Sequence, residues 1–255
     1  KKNLITVCTL FVEHYSQYMF VHPQTSTSAA ETLEAKAKFE RHARSHGVTV
    51  SNYHADNGAF ASAEFTNDVK SLNQSIRYCA PGAHHQNGVA ERHIRTVSEL
   101  SRSMLIDAAC KWPGIVTTAL WPFAVLLAVD IWNNVPRGNE GAPIDTFSNH
   151  RRSSTKYFHP FGCPVFILNR NLQNSQKIPR WDPRCHRGVY LGRSPNHADN
   201  VALVLNLTTG HITAQFHVVF DDKFETVQAS DKDLQVTFPR LFLRSCPTSC
   251  IGPPD

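Results

Sequence analysis

Two carboxylates stand out by type and placement: Asp56 in residues 53–58 (YHADNG), after an apolar run, and Glu91 in residues 84–95 (HHQNGVAERHIR), 35 positions later. Hard divalent cations take oxygen ligands, and phosphoryl-transfer sites draw few of them from protein, so a strand-end Asp and a helix-start Glu suit metal-assisted chemistry at a phosphodiester. Sites that hold two metals normally use a third carboxylate, and the residues before Asp56 supply no aspartate for it. Each acid also has a plain explanation. Asp56-Asn57-Gly58 reads equally as an ordinary turn, and Glu91 as a first-turn acid that complements the helix dipole. Arg95, one helical turn after Glu91, is placed to meet a phosphate held beside that carboxylate; its alternative is a surface ion pair with Glu91 worth ~0.3 to 0.5 kcal/mol. Arg102, two turns further on, suits a backbone phosphate or a solvated helix face.

The elements that must carry these residues are legible in outline. Residues 4–12 and 18–22 read as a strand pair. Ser28 followed by Glu31 is a capping-box signature for a helix over 29–46, with Gly47 at its C-terminal cap. Residues 48–53 read as a buried strand that leaves the sheet at Asn57-Gly58, which puts Asp56 at its carboxyl edge. A shorter helix over 62–73 and a strand over 75–79 follow, then a loop over 80–89 punctuated by Pro81, Gly82 and Gly88. Apolar positions Ile94, Val97, Leu100, Met104, Leu105 and Ala108 recur at helical spacing over 90–109, with Glu91, Arg95 and Arg102 on another face. Residues 115–132 read as a buried helix. Thr117, Thr118, Pro122 and Asp130 interrupt them too often for a membrane span, which needs about 20 apolar residues. Residues 136–157 read as a linker with a helical turn near 144–148. Beyond them, strands are expected over 165–168, 187–191, 201–205 and 211–219, the pattern of a small all-β domain over 158–229. Residues 230–255 read as linker or tail.

The composition sets limits but chooses no function. The 255 residues, 41% hydrophobic and 18% charged, suit one ordinary domain, here residues 1–135, and a smaller second one. A formal charge of +5 permits a polyanionic partner without demanding one. Seven scattered cysteines fit a reducing compartment better than a disulfide framework, and only Cys246 and Cys250 are close in sequence, with no second ligand pair for zinc. A chain that starts at Lys1 without Met reads as a piece of a longer polypeptide. In the second domain Arg170, Lys177, Arg180, Arg184, Arg187 and Arg193 are interleaved with Trp181 and Tyr190. Such a cluster can neutralise DNA phosphates, or be a solvated basic surface with Trp181 in the β-domain core.

In order along the chain, HADNG, HHQNGVAERHIRTVSELSRSML, LWPFAVLLAVDIWNNVP, FGCPVFIL and RGVYLGRSPNHADNVALVLNLTTGHITAQFHVVFDD resemble the integrases of copia-type long-terminal-repeat retrotransposons. The resemblance implies a ribonuclease H-like catalytic core, a mixed α/β sheet with flanking helices, followed by a small SH3-like β-barrel. It implies a DNA-joining enzyme that holds two Mg²⁺ (or Mn²⁺) ions on an Asp, Asp, Glu triad. By motif, Asp56 is the second triad Asp and Glu91 the Glu; the first Asp and its strand are expected upstream of Lys1, so residues 1–255 alone are expected not to join DNA. Glu13, in the turn after the first strand, is no triad position. The family's zinc-binding module is not expected within these residues. The loop with His84, His85, Gln86 and Asn87 resembles the active-site loop that contacts DNA ends, and Arg95, Arg102, Arg180, Arg184 and Arg187 are candidate DNA contacts. The resemblance further implies a homo-oligomer on DNA ends and target duplex, acting in the nucleus and in cytoplasmic virus-like particles, with no membrane partner. Two alternatives stay open: a nucleic-acid-binding remnant without catalysis, and a nuclease of the same fold that cleaves without joining.

Overall fold

A computed structural model describes residues 4–56, 58–80, 87–138, 141–227 and 249–251. It falls into two compact units. The first comprises the described residues of Lys1–Glu99, Ala128–Ser153 and Phe242–Asp255, and the second those of Leu100–Leu127 and Ser154–Leu241.

The first unit is mixed α/β. Strand β1 (Val7–Glu13) pairs antiparallel with β2 (Met19–Gln24), and helix α1 (Ala29–Ser45) follows. Every residue of β1 is buried, as expected of a strand covered on both faces. Its turn is held by Glu13, whose carboxylate accepts from the Tyr15 and Ser16 backbone N–H groups at 3.0 and 2.6 Å and from the Ser16 hydroxyl. Helix α1 starts where the capping signature placed it, with the Ser28 hydroxyl accepting from Glu31 N–H. Glu31 does not complete the box; its carboxylate turns back to Thr25 and Ser26, taking their hydroxyl and backbone N–H hydrogens. Hydrogen bonding, led by the Thr25 hydroxyl, holds its pKa down at about 2.

Strands β3 (Asn52–Ala55) and β4 (Ser75–Tyr78) pair in parallel, joined by α2 (Ala63–Ser71). Phe11, Phe39, Phe60, Phe65, Tyr53 and Val69 fill the core between these elements, with Phe11 and Phe39 stacked at 4.7 Å. Lys36 is buried there too, 1% exposed, its ammonium 2.8 Å from Glu40 and 2.7 Å from Asp68. Residues 249–251, read from sequence as part of a tail, form β10 (Ser249–Ile251), which pairs in parallel with β1 and lies against β3.

Helix α3 (Gly88–Lys111) begins two residues before its apolar periodicity does. The next helix, α4 (Trp121–Asn134), is shorter than the apolar stretch that announced it, because Pro122 lacks an N–H and is tolerated only in a first turn. A 3₁₀ turn over Thr118–Leu120 precedes it, and α5 (Pro143–Ser148) lies within the expected linker. Among the described residues no helix is long and apolar enough to cross a membrane.

The second unit is built on an antiparallel sheet of β5 (Pro164–Leu168), β6 (Cys185–Arg193), β7 (Ala202–Asn206), β8 (Ile212–Gln215) and β9 (Val218–Phe220), in the order β8-β7-β6-β5-β9. The single strand expected over 211–219 is two: the chain turns after Gln215, so β8 pairs with β7 while β9 crosses to β5. A short helix, α6 (Arg170–Gln173), was not foreseen. Gly188 is required by packing, since a Cβ there would lie 2.6 Å from a Val204 methyl and 2.8 Å from the Leu205 carbonyl oxygen. The described thiols Cys110, Cys163 and Cys185 are free.

Candidate functional site

The carboxyl end of β3 is where the first unit gathers reactive side chains. Parallel pairing brings Ala55 opposite Tyr78, and the Cys79 N–H donates to the Ala55 carbonyl at 3.1 Å, so Asp56 and Cys79 leave the sheet side by side. The His54 ring nitrogen Nε2 lies 3.4 Å from the Cys79 sulfur. Asp56 is half-buried and accepts from the Gly58 N–H at 3.2 Å through Oδ1. That hydrogen bond orients the carboxylate. A side chain at Gly58 would press on it, since a Cβ there would come within 3.1 Å of Oδ1.

Glu91 is exposed in the first turn of α3. Electrostatics tie it to Asp56. The Cys79 thiol is pushed above its ordinary pKa first by burial, then by the negative charge of Asp56, and also by that of Glu91. Among the described residues no three His, Cys, Asp or Glu side chains form a ready metal cluster.

Arg95 and Arg102 are both exposed on α3. Among the described residues no acid pairs with Arg95, so the surface pair with Glu91 is not formed. On the buried side of the same helix His93 Nδ1 lies 2.7 Å from the Val89 carbonyl and its ring meets Trp132 edge-on at 5.2 Å, with burial lowering its pKa. Asn87, just before α3, is buried. His84, His85 and Gln86 lie outside the described residues.

In the second unit Lys177, Arg180, Arg184 and Arg187 are exposed, as is Arg170. Arg193 is not part of that surface: its guanidinium packs 4.4 Å from the Phe158 ring and 3.5 Å from the Asp199 carboxylate. Trp181 is 90% exposed, which removes the alternative of a core tryptophan, while Tyr190 is buried. Sequence reasoning missed Cys79 and His54. The signal for both lay in strand register, which seats the end of β4 beside the end of β3.

No known protein-family profile matches the chain. Among solved structures it is similar to a chain of the simian T-cell lymphotropic virus intasome in complex with a PP2A regulatory subunit, with 18% identity and a TM-score of 0.45 over 82% of this chain and 68% of that one. It is also similar to the HTLV-2 integrase catalytic core in complex with magnesium, with 21% identity and a TM-score of 0.40 over 54% and 80%. The catalytic core of BIV integrase matches with 18% identity and a TM-score of 0.43 over 56% and 94%. The structural neighbours are thus retroviral integrases.

Proposed function

We propose that this chain is the catalytic core and the following β domain of a copia-type retrotransposon integrase, which cleaves and joins DNA phosphodiesters with Asp56 and Glu91 as metal ligands. The observation that carries the reading is the placement of Asp56 at the carboxyl end of β3, oriented by the Gly58 N–H, and of Glu91 in the first turn of α3. The donor set fits Mg²⁺, which is commonly held by one or two carboxylates, with water and substrate phosphate completing its shell. When bound, the metal supplies positive charge to the attacking and leaving oxygens of an in-line displacement.

The chain's own residues do the rest. The Gly58 N–H fixes Asp56 through Oδ1 and leaves Oδ2 for a cation. Glu91 approaches from the first turn of α3, and Arg95, with no acid partner among the described residues, is available to hold a phosphate of the DNA end. Arg102 on α3 and Arg180, Arg184 and Arg187 in the second unit would follow the DNA backbone. In this reading the first unit is ribonuclease H-like, the second is SH3-like, the first triad Asp precedes Lys1, and the enzyme works in the nucleus as a homo-oligomer on DNA ends.

Two measurements test it. Mass spectrometry of Cys79 alkylation should show faster reaction in Asp56→Asn and in Glu91→Gln at the same pH, because each removes a charge that opposes the thiolate. Unchanged rates in both would dissolve the shared site. In the protein extended upstream of Lys1, a labelled DNA end with Mg²⁺ and target duplex should give joined products that both substitutions abolish. Cleavage without joining would favour the nuclease, and DNA binding with neither reaction the catalytically silent remnant.

A further inference from the structure

The 16 residues 169–184 connect β5 to β6 and carry four cations, Arg170, Lys177, Arg180 and Arg184, against one acid, Asp182. The connection is fixed at its base: Leu168 pairs with Cys185, and the Asn169 N–H donates to the Arg184 carbonyl at 2.8 Å. Further out, the Asp182 N–H donates to the Pro179 carbonyl at 3.1 Å. That bond closes a β-turn whose two central residues are Arg180 and Trp181.

Trp181 at this turn is 90% exposed, and the Arg180 guanidinium lies 5.6 Å from its ring centre. Tryptophan gains more from burial than almost any other side chain, so folding alone gives no reason for one at a turn tip. Its surroundings are prolines and cations, with Lys177 and Arg184 exposed on either side in sequence. An apolar protein partner would call for a contiguous apolar patch. A flat indole beside a guanidinium, in a connection that carries three further cations, instead suits a ligand with a flat ring between phosphates. Unpaired nucleotides provide that; in duplex DNA the base faces are already stacked.

We propose that the turn 179–182 is a stacking platform for single-stranded nucleic acid, with Trp181 against an unpaired base and Arg180, Lys177 and Arg184 on the flanking phosphates. The inference rests on the nucleic-acid-binding reading of this unit and narrows its ligand to strands with unpaired bases.

The test uses tryptophan emission of the whole chain. Trp112 is buried and Trp121 and Trp132 are partly buried, so a base stacked on Trp181 should dominate any quenching. Titration with oligo(dT) at low salt should quench the emission, and Trp181→Ala should abolish the quenching and weaken oligo(dT) binding about 5- to 150-fold, the range that one stacked base contributes. Trp181→Phe should restore most of the affinity, and a blunt duplex of equal length should bind Trp181→Ala within about twofold of the unaltered chain. Because the ring is exposed, these substitutions leave folding intact. Equal losses on oligo(dT) and duplex, or oligo(dT) binding without quenching, would overturn the platform while leaving backbone binding standing. No salt-dependent binding to either would overturn both.

Discussion

Replacing Lys36 with methionine asks whether a buried cation holds the first unit together. Lys36 is 1% exposed, and its ammonium touches Glu40 at 2.8 Å and Asp68 at 2.7 Å, below the Tyr53 ring at 5.5 Å. Removing one partner of a buried ion pair costs about 3 to 5 kcal/mol when the other is left stranded. Here the stranding is partial. Asp68 is 40% exposed and can turn to water, while Glu40 keeps hydrogen bonds from the Tyr53 hydroxyl and the Gln74 amide, both at 2.7 Å. Methionine also restores apolar contacts, so the expected loss is about 2 to 3 kcal/mol at pH 7. Burial alone would raise the Glu40 pKa, but hydrogen bonds from Lys36, Tyr53 and Gln74 and the Lys36 charge outweigh it and hold the carboxyl below its ordinary value. A depressed carboxylate contributes stability above its unfolded pKa of 4.5 and loses it as pH falls through the folded value. The penalty of Lys36→Met should therefore shrink as Glu40 is protonated, and Lys36→Met/Glu40→Gln should recover part of it at pH 7. Native-state hydrogen exchange at the amides of α1 and β1 reports the first unit alone, at pH 7 and on the acid side of 4.5. A loss below about 0.5 kcal/mol at pH 7, or one that does not change with pH, would refute the argument that Lys36 acts as the counter-charge.

Other outcomes follow from single features. Gly188→Ala should destabilise the β6–β7 pairing by about 1 to 3 kcal/mol, because the new methyl meets backbone as well as side chain; faster exchange in β6 and β7, with Cys79 alkylation unchanged, would show the damage confined to the second unit. His42 accepts or donates at 2.7 Å to the Tyr18 hydroxyl, and burial, aided by His46, holds its pKa down at about 4 against an ordinary 6.5. Since the folded state binds fewer protons, stability is complete above pH 6.5 and falls by about 3 kcal/mol as pH drops through 4. His42→Gln should flatten that limb of the exchange-derived profile, and an unaltered slope would exclude His42 as its source.

Much of the first unit is written in local signals. Ser28, Ser62 and Gly47 mark helix ends, and Gly58 donates its N–H to Asp56 just past a strand edge. Lys36 shows why local reading stops there: on an amphipathic helix a lysine ordinarily faces water, and only Asp68, 32 positions away, reveals that this one does not. Trp181 misleads in the opposite sense, because aromatic content suggests a core, while the turn between Pro179 and Asp182 turns the ring outward. The placement of Cys79 beside Asp56 depends on the register of β3 against β4, which no spacing in the sequence states.

The pairing of β10 with β1 has a bearing on how the molecule is made. Val12 finds Met19 seven positions on but Cys250 only after 238. Closing the longer ring costs about 3 kcal/mol more in chain entropy than closing the hairpin. During synthesis, residues 249–251 reach β1 long after β2 does, and a strand edge left uncovered is an invitation to pair with another chain. Residues 249–251 act as the clasp on that edge of β1, and until they arrive the edge lacks this partner.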